Sequence, residues 1–377
     1  MIRVGIIGGA GYTAGELIRI LLNHPEVELS FVHSTSNAGN RLWEVHSGLF
    51  GDTDMCFSSE YDLDAADVVF LCSGHGKSTA FWAENARPAG LRVIDLAQDF
   101  RDGSCGYVYG LPEINRGRTA AAELVANPGC FATAIQLAVL PLAAAGLLRS
   151  DVEVTAITGS TGAGVKPGAT THFSWRNNNV SVYKAFEHQH LKEIGMNLHR
   201  LQPGFGGAVN FIPVRGDFAR GILATAHVAC DLSQDEAAAL YADFYKDAAF
   251  THVFPGNVDL KQVVNTNKCL LSVEKHGDRL LVNSVIDNLL KGASGQAVQN
   301  MNIMFGLPED TGSDSRPRPS NPTDFESVRR IFPLRRHARE GGRLSYLGRQ
   351  GTGIPGPLRR PCRHLRGAYP SSVRCCP

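Results

Sequence analysis

The run Asn127-Pro128-Gly129-Cys130-Phe131-Ala132-Thr133 holds the most reactive grouping in the chain and precedes a helix-like stretch, Ala134–Leu142. Pro128 and Gly129 force a turn, which leaves Cys130 at or just before the first helical turn. There the helix dipole and free N–H groups favour a thiolate and can hold the oxyanion formed when it attacks a carbonyl. Taken alone, Cys130 reads more readily as a buried structural cysteine. Its company argues for chemistry. Ile157-Thr158-Gly159-Ser160-Thr161-Gly162-Ala163-Gly164 is a loop whose backbone amides can meet a ligand, and Glu187-His188-Gln189-His190 supplies imidazoles able to act as base and then acid.

A second signal lies at the N-terminus. Gly8-Gly9-Ala10-Gly11-Tyr12-Thr13-Ala14-Gly15 follows a strand and opens a helix, as in turns that carry a dinucleotide pyrophosphate on a helix N-terminus. NAD-specific folds place an acid after the second strand to hold the ribose 2′-hydroxyl. Here that stretch is His33-Ser34-Thr35-Ser36-Asn37-Ala38-Gly39-Asn40-Arg41. Hydroxyls and a guanidinium suit a 2′-phosphate, so NADP(H) is the expected cofactor. Its expected contacts are Gly8, Gly11, Tyr12, Thr13, Ser34, Ser36, Arg41, Ser73, Gly162 and Asn288.

The elements that must position these groups fall into two patterns. Ile2–Ile7, Val27–Val32, Val68–Cys72 and Leu91–Leu96 read as strands with helical material between them, which predicts a Rossmann-type parallel sheet. After Pro141, five strand-like runs follow: Val152–Thr158, Asn210–Val214, Ile222–Ala229, Leu270–Glu274 and Arg279–Ile286. With one helix-like stretch, Leu232–Tyr245, they predict an α+β catalytic and dimerisation domain on a mostly antiparallel sheet. The expected division is therefore α/β: residues 1–130 and 288–312 form the NADP-binding domain, residues 131–287 the catalytic and dimerisation domain. Residues 313–377 form an Arg/Pro-rich tail.

The 377 residues carry a net charge of +1, which conceals two unlike parts. From Ser313 onward there are 14 Arg, no Lys and four acids; that leaves 23 basic and 32 acidic groups in residues 1–312, a net charge of −9. An acidic body argues against nucleic acid as a partner. The tail reads as a disordered basic arm or as out-of-frame translation of GC-rich DNA, and it is assigned no function. No apolar run approaches a membrane span, and Met1-Ile2-Arg3-Val4 leads into a strand rather than a signal sequence, so a cytoplasmic location is expected. The cysteines show no metal-ligand spacing, and no metal is expected.

Together these motifs resemble the N-acetyl-γ-glutamyl-phosphate reductases of the semialdehyde dehydrogenase superfamily. The resemblance runs from Val4-Gly5-Ile6-Ile7-Gly8-Gly9-Ala10-Gly11-Tyr12-Thr13 through Asp95-Leu96-Ala97-Gln98-Asp99-Phe100-Arg101 and Tyr109-Gly110-Leu111-Pro112-Glu113 to Asn288-Leu289-Leu290-Lys291-Gly292-Ala293-Ser294-Gly295. It covers residues 1–312. It implies that Cys130 is the nucleophile, that the acid/base is in the paired-histidine segment beginning at His188, and that the product is N-acetylglutamate 5-semialdehyde of arginine biosynthesis. Cys130 is expected to attack the acyl carbon of the small-molecule acyl phosphate and expel phosphate; the thioester accepts a hydride from NADPH, and protonated His188 supplies a proton as the aldehyde leaves. His190, Ser160 and Arg101 are the expected substrate contacts, Arg101 reading equally as an ordinary ion pair. Which histidine serves stays open, since Leu191-Lys192 stands where the family often has Thr-Pro, and Ala132 replaces a frequent proline. A homo-oligomer, dimer or tetramer, is expected through the second sheet. The rivals are the same chemistry on a carrier-bound aminoadipyl phosphate and a catalytically silent NADP-binding regulator.

Overall fold

Thirteen strands and nine α-helices position the chemistry in the computed structural model, which describes residues 1–313. The expectations for the tail fall outside the described residues, apart from Ser313 itself. The first sheet contains β1 (Ile2–Ile7), β2 (Val27–His33), β3 (Val68–Leu71), β4 (Arg92–Asp95), β5 (Val108–Tyr109) and β6 (Leu124–Ala126). Its order is β2-β1-β3-β4-β6-β5, and every pairing is parallel. The four strands read from the sequence are present. β5 and β6 were not foreseen, being too short to show a period.

Around this sheet lie α1 (Tyr12–Leu22), α2 (Leu42–Val45), α3 (Lys77–Glu84) and α4 (Pro112–Ala120). In α1, Ala14, Leu17, Ile18 and Leu21 form a buried stripe against Val4, Ile6 and Val32. On the opposite face Ile7, Val69, Leu71 and Val93 pack with Phe100 and Tyr107. Both faces are covered, which is why these strands read as near-continuous apolar runs.

The chain then enters α5 (Cys130–Ala144), which begins four residues earlier than its apolar run suggested. From Phe131 to Ala143 every α5 residue is buried, so α5 is enclosed on all sides, its two polar side chains Thr133 and Gln136 hydrogen-bonded within the interior. It packs on the second sheet, formed by β7 (Val152–Thr158), β8 (Ser181–Val182), β9 (Val209–Arg215), β10 (Ile222–Ala229), β11 (Thr251–Val253), β12 (Cys269–His276) and β13 (Arg279–Ile286). The order is β11-β12-β13-β10-β7-β9-β8, antiparallel except for β7–β9 and β11–β12. The helices here are α6 (Phe173–Arg176), α7 (His190–Leu201) and α8 (Gln234–Tyr245). α8 starts with a capping box, the Ser233 side chain accepting from the Glu236 amide and the Glu236 carboxylate accepting from the Ser233 amide.

After β13 the chain makes one π-helical turn, Leu290–Ser294, and continues as α9 (Gly295–Met304). Leu290, Ala297, Val298, Met301 and Met304 join the core beneath α1. The chain thus returns to the first sheet. Among the described residues no helix is long and apolar enough to cross a membrane, and no group of three or more His, Cys, Asp or Glu side chains could hold a metal ion.

Candidate active site

A cavity of about 580 Å³ is walled by Gly11–Thr13 at the start of α1, Asn127–Phe131 at the start of α5, Thr161–Val165 after β7, Tyr183–His190, and Asn288–Ala293 after β13. Cys130, His188, His190, Arg101, Gly11, Tyr12, Thr13, Gly162 and Asn288 all line it. These residues were expected to share a site, and the fold brings them to one.

Cys130 is the first residue of α5, behind an N-cap, Gly129, that offers no side-chain cap. Its neighbours demand glycine. A Cβ on Gly129 would lie 2.3 Å from His190 Nε2 and 2.7 Å from Arg101 Nη1, and one on Gly292 would lie 2.8 Å from Cys130 Cβ. The turn is pinned at three points. Asn127 donates from Nδ2 to Ala293 O (3.0 Å) and accepts at Oδ1 from Asn300 Nδ2 (3.0 Å), while Gly129 N donates to Glu193 Oε2 (3.1 Å).

The resting sulfur is not the anion expected from its position. Burial pushes the Cys130 thiol up to about 11, outweighing the Phe131 and Cys130 amides and the Arg101 charge that pull it down. His188 goes the other way: burial, aided by Lys184 and Arg215, lowers it to about 4. Burial also holds His190 well below its usual value. The His190 amide donates to His188 Nδ1 (3.2 Å), which assigns the ring proton of His188 to Nε2 in this state. In one cavity, burial thus raises the thiol and lowers both imidazoles, against the thiolate read from the helix start and in keeping with a neutral His188 that acts first as base.

Arg101 resolves as an ion pair. Its Nη1 donates to Glu193 Oε1 (3.0 Å), its Nε to Asn127 O (2.9 Å) and its Nη2 to Leu96 O (3.1 Å), with both charged side chains buried. Glu193 also accepts from Tyr109 Oη (2.6 Å) and stands 3.9 Å from His190 Nε2. Ser160 does not reach the cavity; it lines a neighbouring cleft with Thr171, Phe173 and Arg176. Its amide bonds to Phe218 O, and the 3₁₀ turn presents Thr161 and Gly162 to the cavity instead. Sequence reasoning passed over Arg215 and Tyr183. The Arg215 guanidinium stacks 4.4 Å over the Tyr183 ring, both line the cavity, and Arg215 Nε is buried without a hydrogen-bond partner. The sole sequence signal for Arg215 was a cation at the end of an otherwise apolar strand.

The N-terminal turn has room for a dinucleotide. Gly8 has a φ of +85°, and a Cβ there would meet Ser73 Oγ at 2.6 Å. Nothing lies within 4 Å of where a Gly11 Cβ would be, and no side chain caps α1, so its first amides are open. Asn288 donates from Nδ2 to Thr161 Oγ1 (3.0 Å) and accepts from Gly221 N (2.7 Å). Gly8, Ser34, Ser36, Arg41 and Ser73 lie outside the cavity lining. Ser34 is buried and Ser36 exposed, each receiving the Asn37 side-chain amide, and Arg41 pairs with Asp54.

Comparison with known proteins agrees with this layout. Residues 3–122 match the semialdehyde dehydrogenase NAD binding domain, and residues 130–288 the semialdehyde dehydrogenase dimerisation domain. The N-acetyl-gamma-glutamyl-phosphate reductase of Bacteroides thetaiotaomicron is 58% identical over 319 residues, covering 84% of this chain and 99% of that protein. The protein of that name from Christiangramia forsetii is 58% identical over 314 residues, 83% and 98% of the respective chains. Among solved structures, aspartate semialdehyde dehydrogenase II from Vibrio cholerae superposes with a TM-score of 0.65 at 20% identity, over 81% of this chain and 99% of that one, a likeness of fold. With both domain models matched and more than half of the residues identical over nearly the full length of these relatives, the chain belongs to the N-acetyl-γ-glutamyl-phosphate reductase family.

Proposed function

We propose that this enzyme reduces N-acetyl-γ-glutamyl phosphate to N-acetylglutamate 5-semialdehyde, releasing phosphate, through a thioester on Cys130 in arginine biosynthesis. The observation that carries the reading is the meeting of Cys130, His188 and the open α1 turn in one cavity. The α1 turn, Asn288 and the Arg41 segment would hold NADPH, which would supply the hydride for the reduction. The preference for NADP over NAD rests on Ser34, Ser36 and Arg41 after β2, with no acid among residues 33–41.

In the acylation step, Cys130 Sγ bonds to the acyl carbon, the carbon–oxygen bond to phosphate breaks, and the thiol proton passes to His188. To take it, His188 must release the His190 amide. The negative charge of the acyl phosphate offsets that cost by favouring the imidazolium. The amides at the start of α5 stabilise the tetrahedral oxyanion. When the aldehyde leaves, the proton returns from His188 to the sulfur. Arg215, stacked on Tyr183 with an unpartnered Nε, is the contact for the substrate carboxylate. Arg101 holds the cysteine turn through Asn127 O and Glu193, while His190, lining the cavity with its Nδ1 buried and unpartnered, is a further contact for the substrate.

The homo-oligomer forms across the outer face of the second sheet. There Ile157, Leu223, Leu270 and Leu281, each partly exposed, alternate with the residues buried against α5. The acidic body argues for the free acyl phosphate over a carrier-bound one.

The test is Cys130→Ser, assayed for phosphate-dependent NADP reduction by the semialdehyde. Loss of at least three orders of magnitude is expected, and activity within tenfold of the unaltered enzyme overturns covalent catalysis.

A further inference from the structure

We infer that Arg220, which touches neither the cavity nor the reacting groups, is the positioning residue that sets the distance between the dinucleotide turn and Cys130. Arg220 precedes β10, and its guanidinium joins two acids from different parts of the chain. Nε and Nη2 donate to the two oxygens of Asp287 (3.0 and 3.1 Å), and Nη1 donates to Glu16 on α1. Each acid leads to a wall of the site.

Glu16 lies one helical turn beyond Tyr12 and Thr13, so the bond fixes the start of α1. Asp287 is fully buried and also accepts the amides of Asn265, Leu289 and Leu290 (2.8, 2.8 and 3.1 Å). It thereby shapes the turn that carries Asn288 and Leu289 and sets Gly292 against Cys130 Cβ.

The backbone around Arg220 holds the third wall. Phe218 O, Ala219 O and Gly221 O accept the amides of Ser160, Thr161 and Gly159 (2.9, 3.2 and 3.0 Å). A Cβ on Gly159 would strike Ala219 O at 2.4 Å, so the two segments are in direct contact. One planar guanidinium therefore ties the α1 turn, the Thr161–Gly164 loop and the Asn288–Gly292 turn to each other. A lysine is a point charge and cannot reproduce the bidentate pairing with Asp287 while also reaching Glu16.

This inference rests on the Cys130 thioester reading for its kinetic arm alone. The experiment compares Arg220→Met, Arg220→Lys, Glu16→Gln and the Glu16→Gln/Arg220→Met double variant, each checked for folding by its circular dichroism spectrum. In single turnovers, acylation is followed by phosphate release and reduction by NADPH consumption. A misplacement near 1 Å costs about 100-fold in the step it disturbs. Arg220→Met is expected to release phosphate within about threefold of the normal rate while NADPH consumption falls about 100-fold. Arg220→Lys is expected to restore part of the loss, and the double variant to be no worse than Arg220→Met. In the ligand-free protein, hydrogen exchange at the Leu289 and Leu290 amides is expected to quicken in Arg220→Met.

Equal slowing of both steps, an additive double variant, or unchanged exchange at those amides overturns the assignment. If Arg220→Met does not fold, Arg220→Lys and Glu16→Gln carry the same comparison. The exchange measurement needs neither substrate nor a reactive Cys130, so it stands even if the thioester reading fails.

Discussion

Glu193→Gln separates two consequences of one buried carboxylate. Glu193 accepts from Arg101, Tyr109 and the Gly129 amide, with its side chain 5% exposed. Glutamine keeps the shape but replaces one oxygen with a donor. Either Arg101 or the Tyr109–Gly129 pair then loses its acceptor, and the Arg101 charge stays buried without its partner. Removing one member of a buried pair costs roughly 3–5 kcal/mol, and the surviving acceptor places this variant near 3 kcal/mol. At roughly 2 °C per kcal/mol for a domain of this size, Tm falls by about 6 °C.

The thiol is expected to move in the opposite direction from fitness. The charge on Glu193 raises Cys130 and that on Arg101 lowers it, so removing the first brings the thiol below about 11. With a pKa of about 11, roughly one sulfur in a thousand is ionised at pH 8, and each unit of decrease multiplies that by about ten. Iodoacetamide should therefore alkylate Glu193→Gln several-fold faster than the unaltered protein at pH 8, with the pH profile displaced to lower pH. Turnover should still fall, because the Gly129 amide loses a charged acceptor that pins the cysteine turn. The assay is pseudo-first-order inactivation from pH 6 to 10 beside steady-state kinetics. Slower alkylation refutes the electrostatic reasoning, and unchanged kcat refutes the pinning of the turn.

Two further substitutions probe the remaining groups. His188 stays neutral in the folded chain down to about 4, whereas an unfolded chain takes up that proton near pH 6.5. Stability contributed above pH 6.5 is thus lost as pH falls towards 4, by about 3 kcal/mol, and His188→Gln should flatten that part of the denaturant-midpoint profile while lowering kcat at least 100-fold. An unchanged slope between pH 6.5 and 4 would show that another group titrates there. Arg41 is exposed and paired with Asp54, free to exchange that partner for a phosphate. Arg41→Ala should raise KM for NADPH about tenfold and leave KM for NADH unchanged, a loss near 1.4 kcal/mol confined to one cofactor. Parallel shifts with both cofactors would remove Arg41 from the 2′-phosphate site.

What the sequence disclosed was whatever has a local cause. Long apolar or alternating runs named nine of the strands, and glycine spacing placed the dinucleotide turn. β5, β6, β8 and β11 are two or three residues long and owe their existence to strands already paired beside them. Of the residues read from the sequence, Cys130, His188, His190, Arg101, Tyr12, Gly162 and Asn288 line the cavity, whereas Ser160 does not and Arg215 and Tyr183 went unread; ionisation was not legible at all. Proximity to a helix start argued for a thiolate at Cys130; the other walls of its cavity come from residues 183–190 and 288–293, far along the chain, and desolvation at the partly buried sulfur outweighs the helix start. Arg101 could have faced a substrate or an acid until Glu193, 92 residues away, was seen to hold it. Ser160 and Thr161 are adjacent in sequence, yet the turn sends one into a separate cleft. The same burial that raises the thiol lowers His188, so the resting pair is uncharged on both sides. An anionic acyl phosphate shifts that balance by favouring the imidazolium, and the imidazolium in turn favours the thiolate. On the thioester mechanism proposed above, ionisation of Cys130 would depend on the arriving substrate, which neither residue's place in the sequence reveals.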